Sequence, residues 1–230
     1  MGDMANDGNP GGDRAGRGSN RADRPPLTQS TIVAAAISIA DNEGVAKLSM
    51  RHLARSLGYE VMSLYNHVAN KNDLLGLMLE AVAEEIEYER NLEPMAAVRA
   101  LAIATHDVFL NHRWMPEQWL QHLPGPARTQ SMEDLLRLLD ASGLNSELAH
   151  FGFHAVNNHV LGHTMQQIGM TVGLDDPERV MNDFVAGLSD DEHPHMIKHV
   201  KQHIDGENGD SFELVLDLIL DGLVRMNDES

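Results

Sequence analysis

In the first third of the sequence, short segments with regularly spaced apolar residues end at glycines. From residue 28 to residue 43, apolar residues recur every three or four positions, as they do on one face of a helix. These residues are Ile32, Val33, Ala36, Ile37 and Ala40. Gly44 follows directly, in the position where a left-handed residue commonly ends a helix. The pattern predicts short helices joined by tight turns.

Two further short helices are predicted before residue 70. Ser49 stands where an N-cap belongs, and Gly58 ends the helix that begins after Ser49. A third helix is predicted over residues 60–68. Its apolar face consists of Val61, Leu64 and Val68. A helix, a glycine-containing turn and a short helix together form the pattern of a helix-turn-helix.

The outer face of the third predicted helix carries side chains suited to the edges of DNA bases. Its outward positions are Met62, Ser63, Tyr65 and Asn66. In a helix-turn-helix this face enters the major groove, where donors, acceptors and methyl groups distinguish base pairs. An ordinary three-helix corner has the same spacing, so both interpretations stay open from the spacing alone.

Asn70 and Asp73 resemble a capping box, which opens a fourth helix from Lys71 to about Arg90. Helical spacing continues to the end of the chain, so the predicted fold is all-α. We predict a helix-turn-helix DNA-binding domain over 27–75, a connecting helix over 76–90, and a helical ligand-binding and dimerisation domain over 91–230. Within the last domain, helices are predicted over 95–109, 129–141, 146–170 and 212–226, with a loop over 111–126 and a less regular segment over 176–204.

Charge is distributed unevenly along the chain. The first 75 residues contain eight Lys and Arg and eight Asp and Glu, whereas the remaining residues contain nine and 27. The whole formal net charge of −18 therefore lies beyond residue 75. A polyanion such as DNA is repelled by the acidic part and can approach only the N-terminal part.

Composition excludes several classes of protein. The chain has no cysteine, so disulfides, thiolate metal sites and cysteine nucleophiles are excluded. Since no stretch of about 18 apolar residues occurs, we expect no membrane span and a cytoplasmic setting. Residues 1–26 are rich in Gly, Asn, Asp and Arg, and we expect a disordered tail. Its arginines either contact phosphates or a minor groove, or are simply solvated.

The last predicted helix indicates a dimer. Its polar stripe consists of Glu213, Asp217, Asp221 and Arg225. Nearly all its other residues are apolar, so the helix must be buried on two sides. We expect a second subunit to bury one of these sides. The predicted helix 146–170 is expected to share this interface. Full burial inside one subunit is the alternative.

The thirteen histidines raise the question of a metal site. Pairs four residues apart, which can chelate Zn²⁺, are His150 with His154, His159 with His163, and members of the series His195, His199 and His203. Because no HExxH motif is present and such pairs are common without metal, we expect neither a metal nor a cofactor.

Polar side chains in the second domain indicate either a ligand pocket or a dimer interface. A few hydrogen-bonding groups orient ligands in pockets that are otherwise apolar. The candidate pocket residues are Thr105, His106, Trp114, Trp119, His154 and Asn158. Core packing and a partly solvated helix face explain these residues equally well.

The segment LSMRHLARSLGYEVMSLYNHVANKNDLL resembles the DNA-binding segment of the tetracycline-repressor (TetR) family. The shared pattern is L-S-x-R-x-L-A-x-x-L-G, then E-x-x-S-L-Y-x-H-V-x-N-K and a pair of leucines. The close match covers about residues 28–80. The resemblance implies an all-helical, homodimeric transcription regulator whose second domain binds a small molecule that alters DNA affinity.

The resemblance also implies roles for individual residues. Arg51 matches a base-contacting arginine, and a bidentate contact of arginine with guanine contributes roughly 1–3 kcal/mol of discrimination. Ser63 matches a hydroxyl-bearing position of the recognition helix. Tyr65, His67 and Lys71 match contacts to the DNA backbone, which fix register without reading sequence.

The chain departs from the repressor that names the family at three positions. That repressor has a polar residue and a proline where this chain has Val61 and Met62, and a tryptophan at Asn66, so we expect a different operator. Val61 either contacts bases or belongs to the core, and Asn66 either contacts adenine or faces water. The predicted DNA-binding residues are Arg51, Glu60, Val61, Met62, Ser63, Tyr65, Asn66, His67 and Lys71.

The expected function is a ligand-responsive repressor that a small-molecule inducer releases from a pseudo-palindromic, double-stranded DNA operator. The alternatives are a small all-helical enzyme, possibly metal-dependent, and a protein-binding adaptor. The sequence lacks a nucleophile elbow, a phosphate-binding glycine loop and a carboxylate–histidine metal motif. We therefore expect no enzymatic activity.

Overall fold

The computed structural model describes residues 26–171, 176–204 and 211–229. Within these ranges all regular secondary structure is helical, which confirms the predicted all-α class. The helices are α1 (Gln29–Glu43), α2 (Met50–Leu57), α3 (Val61–Leu64), α4 (Lys71–Ala83), α5 (Pro94–Asn111), α6 (Met115–Gln121), α7 (Pro126–Ala141), α8 (Ser146–Thr171), α9 (Pro177–Ala186), α10 (Pro194–Ile204) and α11 (Ser211–Asp228). The expected disordered tail, apart from Pro26, lies outside the described residues. None of the described helices has the length and apolar character needed to cross a membrane.

Helices α1 to α3 form the head, and side-chain caps fix where its helices begin. Thr28 accepts a hydrogen bond from the backbone N–H of Thr31, whose side chain accepts one from Thr28 in return. Ser49 caps α2 by accepting from the backbone N–H of His52 at 3.2 Å. Gly58 ends α2 with a φ of 71°, a left-handed conformation that glycine adopts without strain. The predicted helix-turn-helix is confirmed.

The third helix is shorter than predicted. Regular α-helix covers only Val61–Leu64, and the chain then turns. In this turn the backbone N–H groups of His67 and Val68 both donate to the carbonyl oxygen of Leu64, at 2.9 and 3.0 Å. The turn brings Val68 into the core beside Leu64, and both are buried as predicted. Val61 is half-buried and packs against the edge of the same core.

Helix α4 ends at Ala83, not near Arg90 as predicted. The N–H groups of Glu85 and Ile86 bond to carbonyl groups three residues back, at 3.0 and 3.3 Å, which tightens the last turn. This change of direction places Ile86 in the core, 9% exposed. The predicted connecting helix over 76–90 is therefore helical only in its first half.

Helices α5 to α11 form the body, in which α5 is central and packs against α7, α8 and α11. The predicted loop over 111–126 contains a helix, α6, and the segment over 176–204 contains α9 and α10. Proline stands in the first turn of each of these three helices, where its missing N–H leaves no hydrogen bond unmade. Proline in these segments therefore marks a helix start, although a loop and a less regular segment were predicted there.

Arg99 of α5 binds the polar stripe of α11. Its Nε lies 2.6 Å from Oδ1 of Asp217, and its Nη2 lies 2.6 Å from Oε2 of Glu213. Hydrogen bonds to Asp217 and Glu213 raise the pKa of Arg99, and the contact with Arg99 lowers the pKa of Asp217. Since these bonds turn the polar stripe towards α5, Leu214 and Leu218 are left about two-thirds exposed, at 63% and 64%.

Candidate DNA-binding surface and ligand cavity

The head exposes most of the side chains predicted to contact DNA. Arg51, in the first turn of α2, and Glu60, directly before α3, are both exposed. Met62 is 72% exposed and Tyr65 is 43% exposed. Asn66 is exposed as well. These five side chains are therefore accessible to a partner on the surface of the head.

Ser63, His67 and Lys71 are half-buried. The Lys71 ammonium group lies 3.5 Å from the carbonyl oxygen of Val45, in the 3₁₀ turn between α1 and α2. Gln29 donates from Nε2 to the carbonyl oxygen of His67 at 3.1 Å. These contacts tie the first turn of α1 to the segment that links α3 with α4, and the 3₁₀ turn to the start of α4.

A cavity lies between α5, α6, α7 and α8 and is called the inner cavity. Its lining residues are Leu101, Ala102, Thr105, Phe109, Trp119, Ser131, Met132, Leu135, Val156, Asn157, Val160 and Leu161. Phe109 and Trp119 meet edge to face, with ring centroids 5.2 Å apart. About 20 Å³ of the cavity is open to the centre of a water molecule, so a larger guest must move its walls. A mostly apolar lining with a few polar groups is typical of small-molecule sites.

Three polar side chains line the inner cavity. Thr105 donates to the carbonyl oxygen of Leu101 at 2.7 Å, and Asn157 donates to that of Phe153 at 2.9 Å. The hydroxyl group of Ser131 has no hydrogen-bond partner among the described residues. The Asn157 carbonyl and the Ser131 hydroxyl therefore keep capacity for a guest.

The structure places two of the six predicted pocket residues, Thr105 and Trp119, in this lining. Buried His106 instead lies 2.8 Å from the Thr164 hydroxyl and stacks on Phe212. His154 and Asn158 are exposed on another face of α8. The fourth, Trp114, is 6% exposed and points to the head, where its indole N–H donates to a carboxylate of α1. These four residues do not line the inner cavity, because the register of each helix turns them elsewhere. That they contact a ligand stays a prediction.

The sequence analysis missed the contributions of α7 and of the second polar position on α8. Ser131, Met132 and Leu135 line the cavity from α7. Their spacing of three and four is the helical period that such a face requires. Asn157 directly precedes the predicted Asn158 in the sequence. Deciding which of the two faces the cavity requires knowing how α8 is rotated about its axis. Helical periodicity is compatible with the predicted lining residues and with the observed ones, so it could not distinguish between the two sets.

A buried arginine joins the cavity wall to α4. Arg128, 3% exposed, donates to the carbonyl oxygen of Trp119 at 2.6 Å, and its guanidinium lies over the Trp119 ring at 4.4 Å. Burial lowers the pKa of Arg128, and the negative charge of Glu80 opposes that shift. Glu80 of α4 accepts from the backbone N–H groups of Gly125 and Ala127 at 2.9 and 2.8 Å. It thereby caps the start of α7, where a carboxylate is favoured.

Apolar side chains also stand exposed along α8 and α11. On α8 these include Phe151, 54% exposed, and Met165, 43% exposed. On α11 they include Leu214, Leu218 and Met226. The two helices pack against each other within the body. The exposed residues therefore lie on two adjacent helices.

The histidine pairs and the histidine series noted in the sequence form no metal centre in the part of the chain that is described. No group of three or more His, Asp or Glu side chains there is arranged to hold a metal ion. His150 and His154 meet edge to face, as do His159 and His163. The side chain of His203 lies outside the described residues.

A helix-turn-helix head on a helical body with an internal cavity is the architecture of a ligand-responsive DNA-binding regulator, and known proteins share it. Residues 94–227, more than half of the chain, match the family described as "Tetracyclin repressor-like, C-terminal domain". The chain belongs to the tetracycline-repressor (TetR) family of transcription regulators. This confirms the resemblance seen in the sequence of the head.

Two relatives represent the sequence comparisons. The chain is 34% identical over 157 residues to the HTH-type transcriptional repressor DrrR1 of Streptomyces coeruleorubidus, a match covering 66% of this chain and 58% of DrrR1. It is 25% identical over 191 residues to tetracycline repressor protein class D of Escherichia coli, covering 80% and 83% of the two chains. The match to DrrR1 thus spans less than two-thirds of that repressor.

Solved structures share the fold along nearly the whole chain. The TetR family protein ActR of Streptomyces coelicolor, in complex with actinorhodin, superposes with a TM-score of 0.73 at 30% identity, over 88% of this chain and 99% of ActR. BioQ with its double-stranded DNA operator superposes with a TM-score of 0.60 at 24% identity, over 86% and 98%. At that identity the likeness to BioQ concerns the fold alone.

Proposed function

We propose that this protein is a homodimeric repressor that releases a pseudo-palindromic DNA operator when a small organic molecule enters the inner cavity. The observation that carries the proposal is the linkage, through α4, of a helix-turn-helix with an exposed contact face to a body with an internal cavity. Residues 27–75 would form the DNA-binding unit, and residues 91–230 the ligand-binding and dimerisation unit. Such a protein works in the compartment that holds its DNA, the cytoplasm in bacteria.

The exposed face of the head supplies the chemistry for DNA. Arg51 would contact a base edge, since arginine to guanine is the commonest specific contact in the major groove. Tyr65 and Lys71 would contact phosphates and set the register of the head on the duplex. Val61, Met62 and Asn66 would determine which operator is preferred. Because Val61 packs against the core edge, its share in base contact is the smallest of these three.

The exposed apolar residues of α8 and α11 support dimerisation through these helices. Leu214 and Leu218 lie one turn apart on α11 and are about two-thirds exposed. In a symmetric dimer this patch packs against the same patch of the other subunit, so one set of residues buries the exposed apolar surface of both subunits. Two heads held by such an interface would enter successive major grooves about 34–36 Å apart.

The contacts around Arg128 provide a route from the cavity to the head. A guest that moves Trp119 alters the position of Arg128, which holds the Trp119 carbonyl group. The neighbouring start of α7 is bound to Glu80 of α4, the helix that joins the head to the body. A ligand that favours one spacing of the heads shifts DNA affinity by its difference in affinity for the two spacings.

Relatives support a repressor with a small-molecule ligand. DrrR1 is named a repressor, and ActR was solved in complex with actinorhodin. Family membership favours this function over the alternatives of an enzyme or a protein-binding adaptor. The described residues offer no group of metal-ligating side chains on which a metal-dependent reaction would depend.

Selection of DNA fragments tests the proposal. The wild-type protein is mixed with fragments from around its own gene and with random fragments, at salt concentrations from about 50 to 200 mM. We expect enrichment of an inverted repeat and weak binding to all other sequences, because the acidic body repels DNA. Equal binding to every fragment, or no enrichment of a repeat, would contradict a sequence-specific regulator.

A further inference from the structure

We propose that a polar cleft beside the inner cavity is a second subsite, which selects ligands carrying a neutral hydroxyl or carbonyl group at one end of an apolar ring system. This inference rests on the proposed function and names the chemical class of the effector. The lining residues that carry the argument are Tyr88, Arg90, Leu101, Gln130, Ser131 and Asp134.

The cleft adjoins the inner cavity directly. Leu101 of α5 and Ser131 of α7 line both spaces, so these two side chains form the partition between them. About 200 Å³ of the cleft is open to the centre of a water molecule, compared with about 20 Å³ in the inner cavity. A ligand whose body enters the inner cavity past Ser131 would therefore leave one end in the cleft.

Tyr88 supplies the unused hydrogen-bonding group. Its hydroxyl oxygen is buried and has no partner among the described residues. A buried hydroxyl without a partner destabilises the fold, and this is tolerated where a ligand satisfies it. The Ser131 hydroxyl, on the partition, also lacks a partner in the described part of the chain. Two residues that line the cleft, Tyr88 and Ser131, thus carry hydroxyl groups with free capacity.

Arg90 and Asp134, two of the three charged residues that line the cleft, satisfy one another. The third, Glu84, is exposed to solvent, which screens its charge. The Asp134 carboxylate, 6% exposed as a residue, accepts from Arg90 at 3.2 Å, from Gln130 at 3.2 Å and from Arg137 at 3.4 Å. A ligand carboxylate would meet the negative charge of Asp134, and a ligand ammonium group would compete with its arginines. A neutral oxygen avoids both costs, and a tyrosine or serine hydroxyl can either donate to it or accept from it.

The inner cavity determines the other end of the ligand. Phe109 and Trp119 present aromatic surfaces, and the rest of its lining is mostly aliphatic. Flat apolar rings fit such walls by stacking or edge contact. Together the two spaces match an apolar ring system with a hydroxyl or ketone oxygen that extends past Ser131 towards Tyr88.

Two probes of equal size isolate the contribution of that oxygen. We would measure binding of 2-naphthol and 2-methylnaphthalene to the full chain by equilibrium dialysis, in the wild type and in Tyr88→Phe and Ser131→Ala. The ratio of the two affinities should shift against 2-naphthol by roughly 2- to 12-fold in each variant, as expected for loss of one hydrogen bond. Tyr59→Phe, which removes a hydroxyl group from the head, is the matched control and should keep the wild-type ratio.

Each outcome supports or overturns the proposed subsite. Tyr88→Phe removes a hydroxyl without a partner, so its melting temperature should be no lower than that of the wild type, and a changed ratio then reports binding and not misfolding. An unchanged ratio in Tyr88→Phe overturns the subsite and leaves the inner cavity as an effector site. Failure of both probes to bind the wild type overturns the subsite and the cavity assignment together. The DNA selection described above reports separately on the regulator function.

Discussion

The indole N–H of Trp114 donates to the carboxylate of Asp41 at 2.7 Å, and so joins the body directly to the first helix of the head. His112 adds a second bond to the same carboxylate oxygen at 2.9 Å and reaches Glu85 with its other ring nitrogen at 3.1 Å. Trp114 directly precedes α6, the helix that carries Trp119 to the inner cavity. The head is therefore held to the body at this network as well as through α4.

Replacing Asp41 with alanine should weaken the attachment of the head. The Trp114 N–H is then left without its acceptor in a residue that is 6% exposed, which costs about 1–3 kcal/mol in the free energy of unfolding. Urea titration of wild type and variant measures the difference. Asn42→Ala removes the next side chain, which is exposed and which, in the described part of the chain, is bonded only to Ser38 of its own helix. It should change stability by less than about 0.5 kcal/mol. Equal losses in the two variants would contradict the network.

Stability should depend on pH through His112. Burial lowers the pKa of His112, but hydrogen bonds to Asp41 and Glu85 and their negative charges raise it more, so its pKa lies above the usual value. A raised pKa means that the contribution of protonated His112 is complete below about pH 6.5 and is lost as the pH rises through the folded-state pKa.

The urea midpoints of wild type and His112→Gln, measured from about pH 6 to pH 9, test this dependence. The advantage of the wild type should be largest at the acidic end and should shrink as the pH rises. An advantage that is constant over this range, or that grows with pH, would show that the charge of His112 does not hold the network together.

The Asp41–Trp114 contact also shows where sequence reasoning reaches its limit. Caps and glycine stops act over three or four residues, so Gly44, Ser49 and Gly58 were sufficient to predict the head. The partner of Trp114 lies 73 positions away, and nothing local to Trp114 indicates it. Residues predicted for a pocket were chosen for their chemistry, and chemistry alone does not distinguish a cavity wall from a contact between head and body.

The same limit applies to the proposed dimer surface. The mostly apolar composition of α11 could be predicted from the sequence, and so could its polar stripe. The sequence did not indicate that Arg99, 118 positions before Asp217, draws this stripe towards α5. That contact decides which face of α11 is left open, and it leaves open a face that includes Leu214 and Leu218.

A charge on this face should separate the subunits. Leu218→Glu places a carboxylate in the proposed interface, where burying it without a partner costs several kcal/mol per subunit. We expect a monomer by sedimentation velocity at concentrations at which the wild type is a dimer. Leu123→Glu makes the same change at a leucine that is 93% exposed before α7, and should stay dimeric. A dimeric Leu218→Glu variant would place the interface elsewhere.

Operator selection by variants of Arg51 and Ser63 tests whether α2 and α3 read DNA sequence. We predict that Arg51→Ala and Ser63→Ala each weaken operator binding by roughly 5- to 160-fold and relax the preference for particular bases, the effect of losing one specific contact. Arg179→Ala removes an equal charge from α9 and should leave selection unchanged. Among the described residues Arg179 pairs only with Asp176 and Asp183 of its own segment. If both head variants select the same repeat with wild-type affinity, α2 and α3 do not form the DNA-reading surface.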